Sequence, residues 1–185
     1  MRAGPRTTPT AAEPGLPQAA FTALYDEHFH DIYRYVAGRL GREVADDIAA
    51  DTFLVALRRR DSFDASRGGV RPWLFGIATN LVADHRRKET RRYRALGRLR
   101  RDEVAESHEG QVVDWVTAQS LQPRLAGAIA ALSPGDRDVL LLNALGELSH
   151  EEIAQALGIP YGTVGSRLSR ARKKVRSALE EDSNG

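Results

Sequence analysis

The residues of this sequence best suited to chemistry are cations that stand without acids beside them. Arg167, Arg170, Arg172, Lys173, Lys174 and Arg176 follow Thr163 and Ser166 with no Asp or Glu interposed. Guanidinium and ammonium groups bind phosphates, and Arg with short hydroxyl side chains suits base edges. Val164, Leu168, Ala171 and Val175 are interleaved at helical spacing, so the segment predicts a helix with one apolar and one basic face. The residues just before it prescribe how that helix is held. Ser149 and Glu152 have the spacing of a capping box, in which hydroxyl and carboxylate each satisfy a free amide of the first turn. Ile153, Ala154 and Leu157 give this shorter helix an apolar stripe; Gly158 suits a left-handed C-cap, and Pro160 cannot extend it. The whole is a helix-turn-helix whose second helix fits a major groove. A plain surface hairpin with a solvated basic face is the alternative, and the agreement of cap, turn and apolar positions favours DNA.

A second basic island lies at Arg86, Arg87, Lys88, Arg91, Arg92, Arg94, Arg98, Arg100 and Arg101, with Glu89 the one acid among them. The net charge is just +2, so the distribution of charge, not its sum, points to two separate contacts with a polyanion. Other chemistries are disfavoured. With no cysteine there is neither a thiolate nucleophile nor a disulfide, and His28, His30, His85, His108 and His150 are scattered. No metal, cofactor or catalytic centre is expected. No apolar run approaches the roughly 20 residues of a membrane span and no signal-peptide core is present, so a cytoplasmic chain without membrane insertion is expected.

The elements that must position these groups are all helical. Residues 1–18 are rich in Pro and small polar residues and read as a disordered tail, as do 181–185. From Phe21, the residues Leu24, Tyr25, His28, Ile32, Tyr35, Val36 and Leu40 make one face, ended by Gly41; His28 reads as a core-edge histidine. A second helix is expected from about Glu43 to Arg59, with Val44, Ile48, Thr52 and Val55 inward. Asp47, Asp51, Leu54 and Arg58 form a separate stripe, either solvated surface or a docking ridge. Asp61 to Arg71 is loop-like, and Pro72 opens a long helix that carries Trp73, Ile77, Leu81 and Val82 inward before turning basic. Asn80 sits mid-helix, either as a locally bonded amide or with a special task. Residues 96–120 read as a flexible linker, though Val112, Val113, Trp115 and Val116 suggest one amphipathic turn. Leu121, Leu125, Ile129 and Leu132 resume the helical pattern, and Ser133, Pro134 and Asp136 start the helix before the helix-turn-helix. The expected fold is all-α: two small helical domains, 19–95 and 121–180, joined by that linker.

Two stretches resemble a known family. ALSPGDRDVLLLNALGELSHEEIAQALGIPYGTVGSRLSRARKKVR is similar to region 4 of bacterial sigma-70 factors, and DDIAADTFLVALRRRDSFD with RPWLFGIATNLVADHRR is similar to region 2. Two short modules in this order resemble the extracytoplasmic-function (ECF) subgroup. The resemblance implies an RNA polymerase sigma factor, not an enzyme, that binds core polymerase, recognises the promoter −10 and −35 elements and promotes melting. The implied partners are the β′ clamp helices and β flap of the polymerase, promoter DNA and an anti-sigma factor. The Asp47, Asp51, Leu54 and Arg58 stripe then becomes the polymerase-docking ridge. Asp64, Ser66, Arg67, Asn80, Arg86, Arg87 and Arg91 become the −10 and melting residues, Asn80 beside a pocket for a flipped base. Tyr161, Thr163, Ser166, Arg167, Arg170 and Lys174 become the −35 contacts. Gly165 departs from the pattern, standing where many members carry Lys or Arg, and Tyr161 is bulkier than the usual valine. A free-standing helix-turn-helix regulator of LuxR type is the alternative, but residues 20–95 lack the alternating strands of a receiver. A protein-only antagonist that mimics such a factor is disfavoured by the two basic islands.

Overall fold

The computed structural model describes residues 16–99 and 123–181, all in helices, turns and short connections, with no strand among them. The expected tail at 1–15, most of the linker and the end from 182 lie outside the described residues. Leu16 to Gln18, expected in the tail, belong to the described structure: the Leu16 amide donates to the Arg60 carbonyl at 3.1 Å, and a 3₁₀ turn spans Gln18–Ala20.

Helices α1 (Phe21–Leu40), α2 (Ala45–Arg58) and α3 (Val70–Leu99) form the first bundle. Gly41, at φ 87°, ends α1 in a conformation that favours glycine. Asp46 and Asp47 lie in the first turn of α2, where negative charge complements the helix dipole. Ala45, Ala49 and Ala56 are fully buried, and their small side chains let α2 lie close to its neighbours around Ile32, Tyr35, Val36, Phe75 and Val82. His28 sits at the core edge as expected, whereas Tyr25, expected inside, is 40% exposed at the rim, stacked on Phe29 at 4.7 Å. The loop after α2 is more ordered than its composition suggests. It makes two 3₁₀ turns, Arg60–Ser62 and Ala65–Arg67, and buried Phe63 anchors it against Trp73 of α3 at 5.1 Å. Helix α3 starts two residues before Pro72 and continues four residues past the expected boundary at 95.

Helices α4 (Pro123–Ala130), α5 (Pro134–Ala144), α6 (His150–Leu157) and α7 (Tyr161–Glu181) form the second bundle. Its local chemistry follows the sequence closely. The Ser133 hydroxyl caps α5 by accepting the Asp136 amide, both halves of the Ser149–Glu152 capping box are made, and Gly158 is left-handed at φ 61°. Val139, Leu142, Ile153, Val164, Leu168 and Ala171 are almost fully buried. Each large aliphatic side chain among them contributes roughly 1.5–3 kcal/mol on leaving water. Arg137 does work that no sequence signal announced. Its guanidinium donates to the carbonyls of Ile129 at 3.0 Å, Leu132 at 2.9 Å and Ala130, supplying donors to carbonyls at and just beyond the C-terminal end of α4.

The two bundles touch. Helix α6 packs on α3, and one continuous apolar cluster runs from Ile32 and Phe75 to Leu142, Ile153 and Leu168.

Candidate nucleic-acid interface

Helix α7 presents the first surface. Its buried seam of Val164, Leu168 and Ala171 fixes the roll of the helix, so the residues opposite must face outward. Those are Gly162, Ser166, Ser169, Lys173 and Arg176, all exposed. Of the expected contacts, Ser166, Arg170, Lys174 and Tyr161 are exposed, while Thr163 and Arg167 are half-buried at the flanks. The Ser166 hydroxyl donates to the Thr163 carbonyl at 3.0 Å, so both are joined within one turn. The Tyr161 ring lies 5.9 Å from that of His150 at the start of α6.

The arginines of α7 are not loose. Arg170 donates to the buried Asp136 carboxylate in the first turn of α5 at 3.0 Å, and Arg172 to the Asn143 side-chain oxygen at 3.1 Å. The Arg167 guanidinium lies against Gly135, where an added β-carbon would stand 2.8 Å from Nη1. Burial opposes the charge of Asp136, yet hydrogen bonds from Arg170 and Ser133 hold its carboxyl below the ordinary range. The N-terminal turn of α5 therefore serves as a bracket for Arg167 and Arg170, two of the arginines expected to contact DNA. Sequence reasoning saw Asp136 only as a capping residue and passed over Ser169 and Gly162. Counting helical turns from the apolar seam would have found the latter pair; nothing local would have found the bracket.

Helix α3 and the loop before it present the second surface. The Asp64 carboxylate accepts the Ser66 amide at 2.9 Å and its hydroxyl at 2.6 Å, and these bonds lower its pKa. Asp64 and Ser66 thus shape the turn, leaving Arg67 exposed on it. Trp73 carries this loop through Phe63. Asn80 is exposed on the same face of α3 about two turns further along, followed by Asp84, Arg87 and Arg91. Arg87 pairs with Asp84, and Arg91 Nε donates to the Arg87 carbonyl at 3.3 Å. Arg86 stands apart. It turns toward α1, donates to the Arg39 carbonyl at 2.8 Å, and is pushed down to about 10 by burial and by the neighbouring Arg39 and Arg137 cations. It lines the inner edge of a shallow depression with Arg87, Thr90, Arg91 and Arg94.

The third expected surface is α2. Asp47, Asp51, Leu54 and Arg58 are all exposed along one stripe, and Leu54 is 44% exposed, unusual for a leucine on a packed helix.

Comparison with known proteins now decides the family. The sigma-70 region 2 model matches residues 24–92, which holds α2, the loop and the Asn80 face, and the sigma-70 region 4 model matches 123–175, which holds the helix-turn-helix. The ECF RNA polymerase sigma factor SigW of Bacillus subtilis is 33% identical over 171 residues, covering 89% of this chain and 91% of SigW. The chain belongs to the ECF sigma-factor family. Another member, BldN of Streptomyces coelicolor, is 32% identical over 88% of this chain, which spans 61% of BldN. The solved structure of the sigma factor CnrH in complex with the cytosolic domain of CnrY superposes with a TM-score of 0.60 at 26% identity, covering 90% of this chain and 91% of that one.

Within this ECF factor, Gly165 can be placed. An added β-carbon there would meet nothing within 4 Å, so no internal contact requires the glycine. Gly165→Arg should therefore fold normally and gain up to about 1 kcal/mol of helix propensity. With one more phosphate contact, the slope of log affinity against log salt should steepen by about 1. Titrations of duplex DNA at several salt concentrations check this; an unchanged slope would place the side chain off the DNA.

Proposed function

We propose that this chain is the promoter-specificity subunit of an RNA polymerase: it binds the core enzyme, recognises −10 and −35 elements and assists melting, while bond formation stays with the core. One observation supports this most strongly. Two DNA-suited surfaces lie in separate sigma modules, while the acid-and-leucine ridge on α2 stands uncovered for a third partner. The ridge of Asp47, Asp51, Leu54 and Arg58 takes the β′ clamp helices, and the second bundle rests on the β flap. Thr163, Ser166, Arg167, Arg170, Lys174 and Tyr161 read the −35 element, joined by Ser169 and Lys173 on the outward stripe.

At the −10 element the turn built by Asp64 and Ser66 offers a shaped edge, Arg67 a cation and Asn80 an amide that both donates and accepts. Taking a base out of the stack costs a few kcal/mol, which such a pocket and the phosphate contacts of Arg87 and Arg91 offset. Arg86 contributes charge from the inner edge. The solved relatives CnrH and a Bartonella quintana RpoE are complexes with the cytosolic domain of CnrY and the anti-sigma factor NepR, which supports an anti-sigma partner here as well. No helix among the described residues is long and apolar enough to cross a membrane, in keeping with action where polymerase and chromosome meet.

The deciding experiment is transcription in vitro from a genomic library with core polymerase, with and without the chain. Initiation that depends on the chain supports the proposal. DNA binding without initiation would return the free-standing regulator. Asn80→Ala gives a finer test: initial promoter binding should stay within about twofold while permanganate-reactive thymines fall about tenfold, as the loss of roughly 1.4 kcal/mol from a flipped-base contact implies. A normal footprint would remove Asn80 from the pocket.

A further inference from the structure

Helix α7 is held by polar contacts on both edges of its buried seam. Arg170 and Arg172 flank the fully buried Ala171, each about 100° around the helix from it. Both side chains turn back toward α5. Arg170 donates to the Asp136 carboxylate at 3.0 Å, and Arg172 to the Asn143 side-chain oxygen at 3.1 Å. Asp136 and Asn143 are seven residues apart, so they share one face of α5 about two turns from each other. Asn143 is itself fixed, because its amide group donates to the Leu148 carbonyl at 3.1 Å.

The Arg170–Asp136 pair has one end inside the fold and one end outside it. Asp136 is 4% exposed, whereas the Arg170 side chain is 55% exposed on the flank expected to face DNA. In the free chain this carboxylate already neutralises Arg170, and the Lys174 ammonium lies within its electrostatic reach. An arbitrary phosphate must therefore compete with an internal anion for the same guanidinium. A base edge makes a different demand. It takes directed hydrogen bonds, and a guanidinium that gives one donor to Asp136 keeps others in a fixed orientation.

We propose that Asp136 and Asn143 are specificity-determining residues that never meet DNA: from α5 they position the arginines of the recognition helix, and Asp136 withholds Arg170 from arbitrary phosphates. This rests on α7 as the reader of the −35 element. Asp136→Asn is the direct probe, because it keeps the shape and one acceptor while removing the charge. The Ser133 cap of α5 uses the Asp136 backbone amide and is untouched by the change.

The full-length chain is titrated with two duplexes, a −35 sequence from a promoter it initiates at and a shuffled version. In Asp136→Asn the shuffled duplex should bind about threefold tighter, with a salt slope steeper by about 1 as Arg170 engages phosphate. The ratio of matched to shuffled affinity should fall about tenfold. General loosening of α7 would weaken both duplexes and steepen neither slope. In an Arg170→Ala background the same substitution should leave the ratio unchanged and recover thermal stability, because a buried carboxylate no longer lacks its partner. Asn143→Ala spares that carboxylate and should lower the ratio about threefold through Arg172 alone. An unchanged ratio in both Asp136→Asn and Asn143→Ala, with Arg170→Ala losing discrimination, would overturn the proposal and leave the −35 reading standing. An equal fall in ratio with and without Arg170 would also overturn it, making Asp136 a structural residue only. If Arg170→Ala itself left the ratio unchanged, Arg170 would not read a base, and the role of Asp136 would fall with that reading.

Discussion

Replacing Asp51 with Arg and Leu54 with Ala together should abolish binding to core polymerase, weakening it by about a thousandfold. Both residues are exposed on α2, so neither change disturbs the core formed by Ala45, Ala49, Phe53 and Ala56. Leu54 has the character of an interface anchor, an aliphatic side chain held in water on a rigid helix. Truncating an anchor costs about 2 kcal/mol, and reversing an adjacent interfacial charge costs a similar amount, so the pair approaches 4 kcal/mol. At 1.4 kcal/mol per decade that is roughly three decades of affinity. The check is co-purification of the variant with core enzyme, alongside a circular dichroism spectrum that matches the parent chain. Full retention on the core would return the stripe to solvated surface and move docking elsewhere.

The second large effect belongs to Arg170. Asp136 holds its guanidinium at 3.0 Å from a nearly buried position on α5, so the group proposed to read the −35 element is oriented in the free chain. Pre-orientation lowers the side-chain entropy lost on binding. Arg170→Ala should cost about 1–3 kcal/mol of discrimination between a matched and a shuffled −35 duplex. Equal weakening on both would make Arg170 a phosphate clamp. The variant also strips Asp136 of its ion pair, so thermal unfolding should be followed in parallel; Arg170→Lys keeps the charge but not the fork, and separates the two effects.

The sequence alone determined the caps, the turn and the buried seam of the second bundle, whose partners lie within about a helical turn or two of each other. The Ser149–Glu152 box, the Ser133 cap, the left-handed Gly158 and the Val164–Leu168–Ala171 seam all formed as their spacing required, because hydrogen bonds at helix ends and one-sided burial are local physics. The all-α fold followed from them, and the family was legible in the same stretches. The basic island of α3 was legible only as a list. Its members look equivalent in sequence, and tertiary packing separated them, leaving Arg87 and Arg91 in solvent and drawing Arg86 against the Arg39 carbonyl. Only tertiary structure assigned Asp136 and Asn143 their partners. Arg170 lies 34 residues from Asp136, and Arg172 lies 29 from Asn143. No periodicity encodes such pairs, because they arise from how the finished helices fit against one another.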